Sequence, residues 1–275
     1  MPAQVTRTTI VTERANYAIL FQGRTGSSFL VDALDRHPDV RAHGEIFAYA
    51  MGMLHGRLLA ETPWRRAAQM AKLGYRGRPA QMQVDNLASI WSPADRRPVV
   101  GFKTKIRDII DPESFKEQCE TADCRFIVMR RRNLVKQALS HVNAERLFQQ
   151  TQARHGKGDW NLRDEKDRLD AEPVPVAVFD RALRFVTFDD AMLTAFADYV
   201  DGPKLELEYA DLLDDQHAWF GSIFDFLGVA ALELQSTFKK NTSDDLRQAI
   251  PNFDELRARY GDTPYGPMFD EVVNA

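Results

Sequence analysis

The chain has 275 residues, with 44% apolar and 28% charged side chains, which is ordinary for a soluble globular protein and sufficient for a large α/β domain. Its formal net charge of −4 gives no global field to attract nucleic acid or an anionic membrane, so an anionic ligand has to be held by local cations. The two cysteines cannot supply a four-ligand zinc site, and no apolar run approaches the roughly 18 residues of a membrane helix.

The amino-terminal stretch MPAQVTRTTIVTER lacks the apolar core of a secretory signal, so a cytoplasmic protein is expected, with Cys119 and Cys124 as buried thiols. Tyr17 to Phe21 reads as a buried strand. Gln22 to Ser27 is a glycine-rich turn, and Ser28 to Arg36 has helical spacing at Phe29, Leu30, Ala33 and Leu34. Strand, glycine loop and helix start in that order form an anion site, because the free N–H groups and the dipole of the first helical turn point into the loop. Gly23 and Gly26 let the backbone bend and approach a ligand. Thr25, Ser27 and Ser28 add hydroxyls, and Arg24 adds a forked cation. The loop is not a Walker A, since two residues rather than four separate its glycines and no lysine follows.

His37 to Asp39 is a turn, Val40 to His43 a short strand, and Glu45 follows at its end. A helix is expected over Met51 to Leu73, carrying Arg57, Arg65, Arg66 and Lys72, and another over Gln81 to Trp91. Val99 to Thr104 is the next strand, with Lys103 and Lys105 near its end. Asp111-Pro112-Glu113 starts a helix, because Asp caps and Pro fits the first turn. Arg125 to Met129 is a strand leading into Arg130, Arg131 and Arg132, and a helix follows from Asn133 to about Gln150. Residues 154–175 are polar and loop-like, and a long loop in a compact domain is often functional. Phe179 to Tyr199 is a long helix. In the strand Lys204 to Tyr209, alternating leucine and glutamate put Glu206 and Glu208 on a less buried face. A helix from Trp219 stops at Gly228, and a last one lies around Asp254 to Arg259.

This alternation predicts an α/β fold with a central, mainly parallel sheet flanked by helices. Ligands in such sheets bind at the carboxyl ends of strands, so the Gln22 to Ser28 loop and the Arg130 to Arg132 cluster can share a rim. Arg132 and Ser140 stand eight positions apart, at the start of a helix and two turns into it, where a guanidinium and a hydroxyl can grip one phosphate.

Here the chain resembles the sulfotransferases that use 3′-phosphoadenosine-5′-phosphosulfate (PAPS). GRTGSSF resembles the family's 5′-phosphosulfate loop, and RNLVKQALS, Arg132 to Ser140, resembles its 3′-phosphate motif. The bacterial carbohydrate sulfotransferases, of the nodulation-factor and trehalose types, are resembled most, through GRTGSSFLVDALDRHPDVRAHGEIF, VGFKTKIRD and LELEYADLL. The resemblance covers residues 17–47, 99–148 and 178–262, and implies a single P-loop-like domain over 1–275. Segments 50–98 and 150–176 carry little of it and are expected to shape the acceptor site.

The resemblance implies that Arg24 to Ser28 hold the 5′-phosphosulfate, that Arg132 and Ser140 hold the 3′-phosphate, and that Tyr209 lies near the adenine, with Lys239 and Lys240 as further 3′-phosphate candidates. Where the motif has Pro after Arg-Asn, this chain has Leu134. Glu45 is the expected general base, its carboxyl raised by an apolar pocket, with His43 the runner-up. Lys103 is expected to neutralise the leaving oxygen without a metal. The acceptor implied is a hydroxyl of a carbohydrate or glycolipid. A P-loop kinase or hydrolase would need the missing loop lysine; an inactive anion- or glycan-binding protein on the same fold remains open.

Overall fold

The structure, a computed structural model, describes residues 14–47, 79–92, 94–234, 242–243 and 245–271. The expected helix over 51–73 with its arginines, and the Lys239-Lys240 pair, lie outside those residues.

Among the described residues, five parallel strands form the sheet: β1 (Ala15–Phe21), β2 (Val40–Glu45), β3 (Val99–Thr104), β4 (Cys124–Arg130) and β5 (Lys204–Glu208), in the spatial order β2-β3-β1-β4-β5. The order puts β1 in the centre and β2 and β5 at the edges. Every strand runs the same way, so all five carboxyl ends share one rim.

Residues of β1 are buried on both faces, and their alternation divides the core. Tyr17, Ile19 and Phe21 face a cluster with Leu30 and Leu34 of α1 (Ser27–Leu34) and with Trp219, Phe220, Ile223 and Phe224 of α7 (Gln216–Leu227). Ala18 and Leu20 face the opposite cluster, where Leu87 of α2 (Pro79–Ile90), Phe115 of α3 (Pro112–Thr121) and Phe196 of α5 (Val176–Tyr199) pack on Phe102 and Phe126. A third cluster joins α4 (Leu134–His155) to α5 and to the small helices α8 (Leu246–Ala249), α9 (Phe253–Tyr260) and α10 (Gly266–Asp270). Cys119 and Cys124 are buried free thiols, as expected from their number and the expected cytoplasmic setting.

The local signals act as anticipated at several termini. Asp111 accepts a hydrogen bond from the Ser114 N–H and Pro112 opens α3, while Gly228 ends α7 in the left-handed region at φ 73°. Two features differ from the sequence reading. β5 ends at Glu208, and Tyr209 instead begins a short helix, α6 (Tyr209–Asp214). Glu208 is also buried rather than solvent-facing, because its carboxylate accepts the backbone N–H of Arg132 at the end of the neighbouring strand.

Candidate active site

The loop between β1 and α1 is built from its own residues. Gln22 is buried, and its carbonyl accepts the Thr25 hydroxyl at 2.9 Å. Thr25 therefore closes the turn; its hydroxyl hydrogen is spent inside the loop and the side chain is not in the cleft. Gln137 of α4 donates to Gln22 Oε1 at 2.9 Å and to the Gly23 carbonyl at 2.8 Å, fastening the loop from the other side. Arg24 has φ 71° and Gly26 φ 80°, two left-handed residues that turn the chain into α1. Gly26 stands at the N-cap, where no side chain caps the helix. A Cβ there would lie 3.1 Å from the Tyr209 ring, so glycine is required both by conformation and by space. At Gly23, by contrast, a Cβ would meet nothing within 4 Å, and that position asks less of its residue.

A cleft of about 230 Å³ opens over this loop, lined by Arg24, Gly26, Ser27, Ser28, Ser140 and Tyr209 among others. The two motifs seen in the sequence meet across it: Arg24 Nε donates to Ser140 Oγ at 3.1 Å. The other branch of the Arg24 guanidinium donates to the Trp160 carbonyl at 3.0 Å and to Asn161 Oδ1 at 3.2 Å. Residues of the 156–175 loop thus reach the glycine loop. Burial first, and the nearby Arg131 second, push the Arg24 guanidinium down to about 10.

Arg131, not Arg132, shares the cleft with Ser140. Arg131 lies 4.7 Å from the centre of the Tyr209 ring and donates to the Arg24 carbonyl at 3.4 Å. The Arg132 side chain is 85% exposed and lines an adjoining cavity, with its Nε 3.5 Å from Glu208. The cause is Glu208: by holding the Arg132 backbone N–H at 3.0 and 3.2 Å it sets which of the consecutive arginines turns inward.

Lys103, at the end of β3, donates to Ser28 Oγ at 2.8 Å and to Ser27 Oγ at 3.4 Å, and lies 3.5 Å from the Glu45 carboxylate. Burial pushes its ammonium down to about 8, with Glu45 opposing and Lys105 assisting. A cation at a helix N-terminus opposes the dipole. Lys103, Arg24 and Arg131 all crowd the start of α1, and such an arrangement is stabilised by a bound anion.

Glu45 pairs with Lys105 and, more distantly, with Lys103. Burial alone would raise its carboxyl, but the two ammonium groups more than offset this and hold it below the usual carboxylate range. The raised carboxyl expected from the sequence is therefore corrected: the pocket around Glu45 is cationic, not apolar. A register shift in the β2–β3 pairing between His43 and Glu45 brings Glu45 opposite Lys103. His43 lies under different charges, chiefly Arg41, Asp95, Asp35 and Arg97, and burial lowers its imidazole.

Beyond Asn161 and Gln137, a further residue without a sequence signal is His141, next to Ser140. It stacks on Phe185 at 4.8 Å, and burial, then Arg107, Arg24 and Lys105, push it down to about 4, leaving a neutral imidazole among the rim cations.

No family model matches the chain. It is 24% identical over 261 residues to nodulation protein H of Rhizobium meliloti, covering 92% of this chain and 94% of that protein. Against nodulation protein H of Rhizobium tropici it is 24% identical over 257 residues, covering 92% of each. Among solved structures, a sulfotransferase from Alicyclobacillus acidocaldarius aligns over 94% of both chains with a TM-score of 0.48 and 18% identity. A sulfotransferase domain from the curacin biosynthetic pathway aligns over 92% of this chain and 94% of its own, with a TM-score of 0.45 and 13% identity. The chain is thus similar along nine-tenths of its length to one protein, nodulation protein H, from two rhizobial species, and its glycine loop, two arginines and the serine meet in one cleft.

Proposed function

We propose that this enzyme transfers a sulfuryl group from PAPS to a hydroxyl of a carbohydrate or glycolipid acceptor. The observation that carries the reading is the Arg24–Ser140 contact, which joins the glycine loop to the helix after β4 within one cleft. A donor with a 5′-phosphosulfate and a 3′-phosphate needs two anion sites separated by an apolar surface for its base. The loop side supplies the first, Arg131 and Ser140 the second, and Phe29, Tyr209, Leu212 and Leu213 line the space near them.

In this reading the donor supplies the sulfuryl group and the chain supplies charge and position. Glu45 takes the proton of the acceptor hydroxyl as the acceptor oxygen bonds to sulfur. The electron pair of the breaking sulfur–oxygen bond stays on the 5′-phosphate, and Lys103, with the N–H groups of the first turn of α1, meets that charge. Lys103 also links the two roles. While paired with Glu45 it weakens that base; engaged by the phosphosulfate, it returns basicity to the carboxylate. The ionised state of Glu45 is the one a base requires. His43 is the second candidate for the base.

The test is calorimetry with 3′-phosphoadenosine-5′-phosphate (PAP) and with AMP, followed by a transfer assay from PAPS to a panel of sugars. The expected result is PAP affinity at least tenfold above that of AMP, with sulfate transferred to a sugar hydroxyl. Equal affinities reject the donor; binding without transfer to any acceptor favours a non-catalytic anion-binding protein.

A further inference from the structure

A second cavity, of about 110 Å³, lies beside the cleft; Arg131, Tyr209 and Leu213 line both. Into it comes Lys136 of α4, only 3% exposed, whose Nζ has no hydrogen-bond partner. A buried ammonium without an acceptor is costly, and a site that keeps one is normally matched by an anion. Two of the three carboxylates that line this cavity are already engaged, and the third, Asp211, is exposed. Glu208 accepts the Arg132 N–H, and Glu271 accepts from Asn133 Nδ2 at 2.9 Å. Burial lowers the Lys136 amine below the ordinary lysine range; Glu271 and Asp245 oppose this at longer range, and Arg131 adds to it. Position along the helix supplies a second, independent argument. Arg132, Lys136 and Ser140 fall at steps of four, so Lys136 and Ser140 share one face of α4 a single turn apart. Ser140 reaches the first cavity, Lys136 the second, and Arg131 stands on the seam.

We propose that Lys136 is a donor-binding residue that grips the 3′-phosphate across this seam together with Ser140 and Arg131, an inference that rests on PAPS being the donor. An anion placed there gives Lys136 the acceptor it lacks. The grip then has a buried ammonium, a guanidinium and a hydroxyl, a set that distinguishes a 3′-phosphate from a 3′-hydroxyl.

The test compares PAP with AMP by calorimetry on the wild type, Lys136→Met and Lys136→Arg, with the melting temperature of each ligand-free protein. Lys136→Met is expected to weaken PAP by 10- to 100-fold on the scale of a lost charge-assisted hydrogen bond, while AMP stays within threefold. Lys136→Arg is expected to retain most of the preference. The ligand-free Met variant is expected to melt no lower than the wild type, because it no longer buries an unpaired charge. Should Lys136→Met not fold, Lys136→Gln takes its place in the same comparison. A wild type that binds PAP and AMP equally overturns the donor itself. A wild type that prefers PAP, with a variant that keeps the whole preference or loses both ligands equally, overturns only the role of Lys136.

Discussion

Replacing Glu45 by Gln tests two effects, each with its own readout, because it removes the proposed base and a counter-ion of Lys103 while nearly keeping the shape. Lys103 titrates at about 8, and Glu45 at 3.5 Å is what opposes the fall caused by burial. Two unit charges at that separation attract by about 5 kcal/mol at an effective dielectric of 20. If only a fifth of this survives sharing with Lys105 and solvent, the loss is about 1 kcal/mol, or roughly 0.7 of a pKa unit. The sign follows from the charged amine being the form that binds phosphate. In the wild type PAP affinity is full below pH about 8 and declines above it; in Glu45→Gln the decline begins nearer pH 7. Calorimetric titration of PAP from pH 6 to 9.5 reads this shift. Turnover is expected to fall by about 10²- to 10⁴-fold, the usual contribution of a general base. Turnover within threefold of the wild type rejects Glu45 as the base, and an unmoved affinity profile rejects its coupling to Lys103.

Three other outcomes are expected. Arg131→Ala weakens PAP by about 10- to 100-fold and Arg132→Ala by less than about fivefold, because only the former side chain lies in the cleft; the reverse order in a binding assay returns the phosphate contact to Arg132. Gly26→Ala costs about 1–2 kcal/mol for a left-handed alanine, before any push on the Tyr209 ring, and lowers Tm by about 3–6 °C; an unchanged melting curve contradicts the conformational requirement. Transfer is unchanged in EDTA, since Lys103, Arg24 and the start of α1 supply the positive charge at the leaving phosphate; a strict metal requirement contradicts that scheme.

The parallel sheet could be read because its signals are local. Val99–Thr104 is a strand to the residue, and β1 differs only by two residues at its start. The partnership of Arg24 with Ser140 followed from topology: each motif leaves the carboxyl end of a strand, and β1 and β4 are neighbours. What was not legible depends on residues distant in sequence. Arg131 and Arg132 are indistinguishable at a strand-to-helix junction until Glu208, on an edge strand, holds one backbone N–H between them. The charge state of Glu45 depends on a shifted register that no spacing reveals, which sets two lysines against it. Lys136 reads as a solvated helix lysine until its burial is seen. Helix α6 is too short for a period to declare itself, so from sequence Tyr209 reads as the end of a strand.

A crystal structure of the complex with PAP tests most directly whether one nucleotide spans the cleft. The account predicts the 5′-phosphate against the Gly23–Ser28 loop beside Lys103, and the 3′-phosphate against Arg131 and Ser140. Density for the nucleotide away from the loop, or with its 3′-phosphate in open solvent, would contradict it.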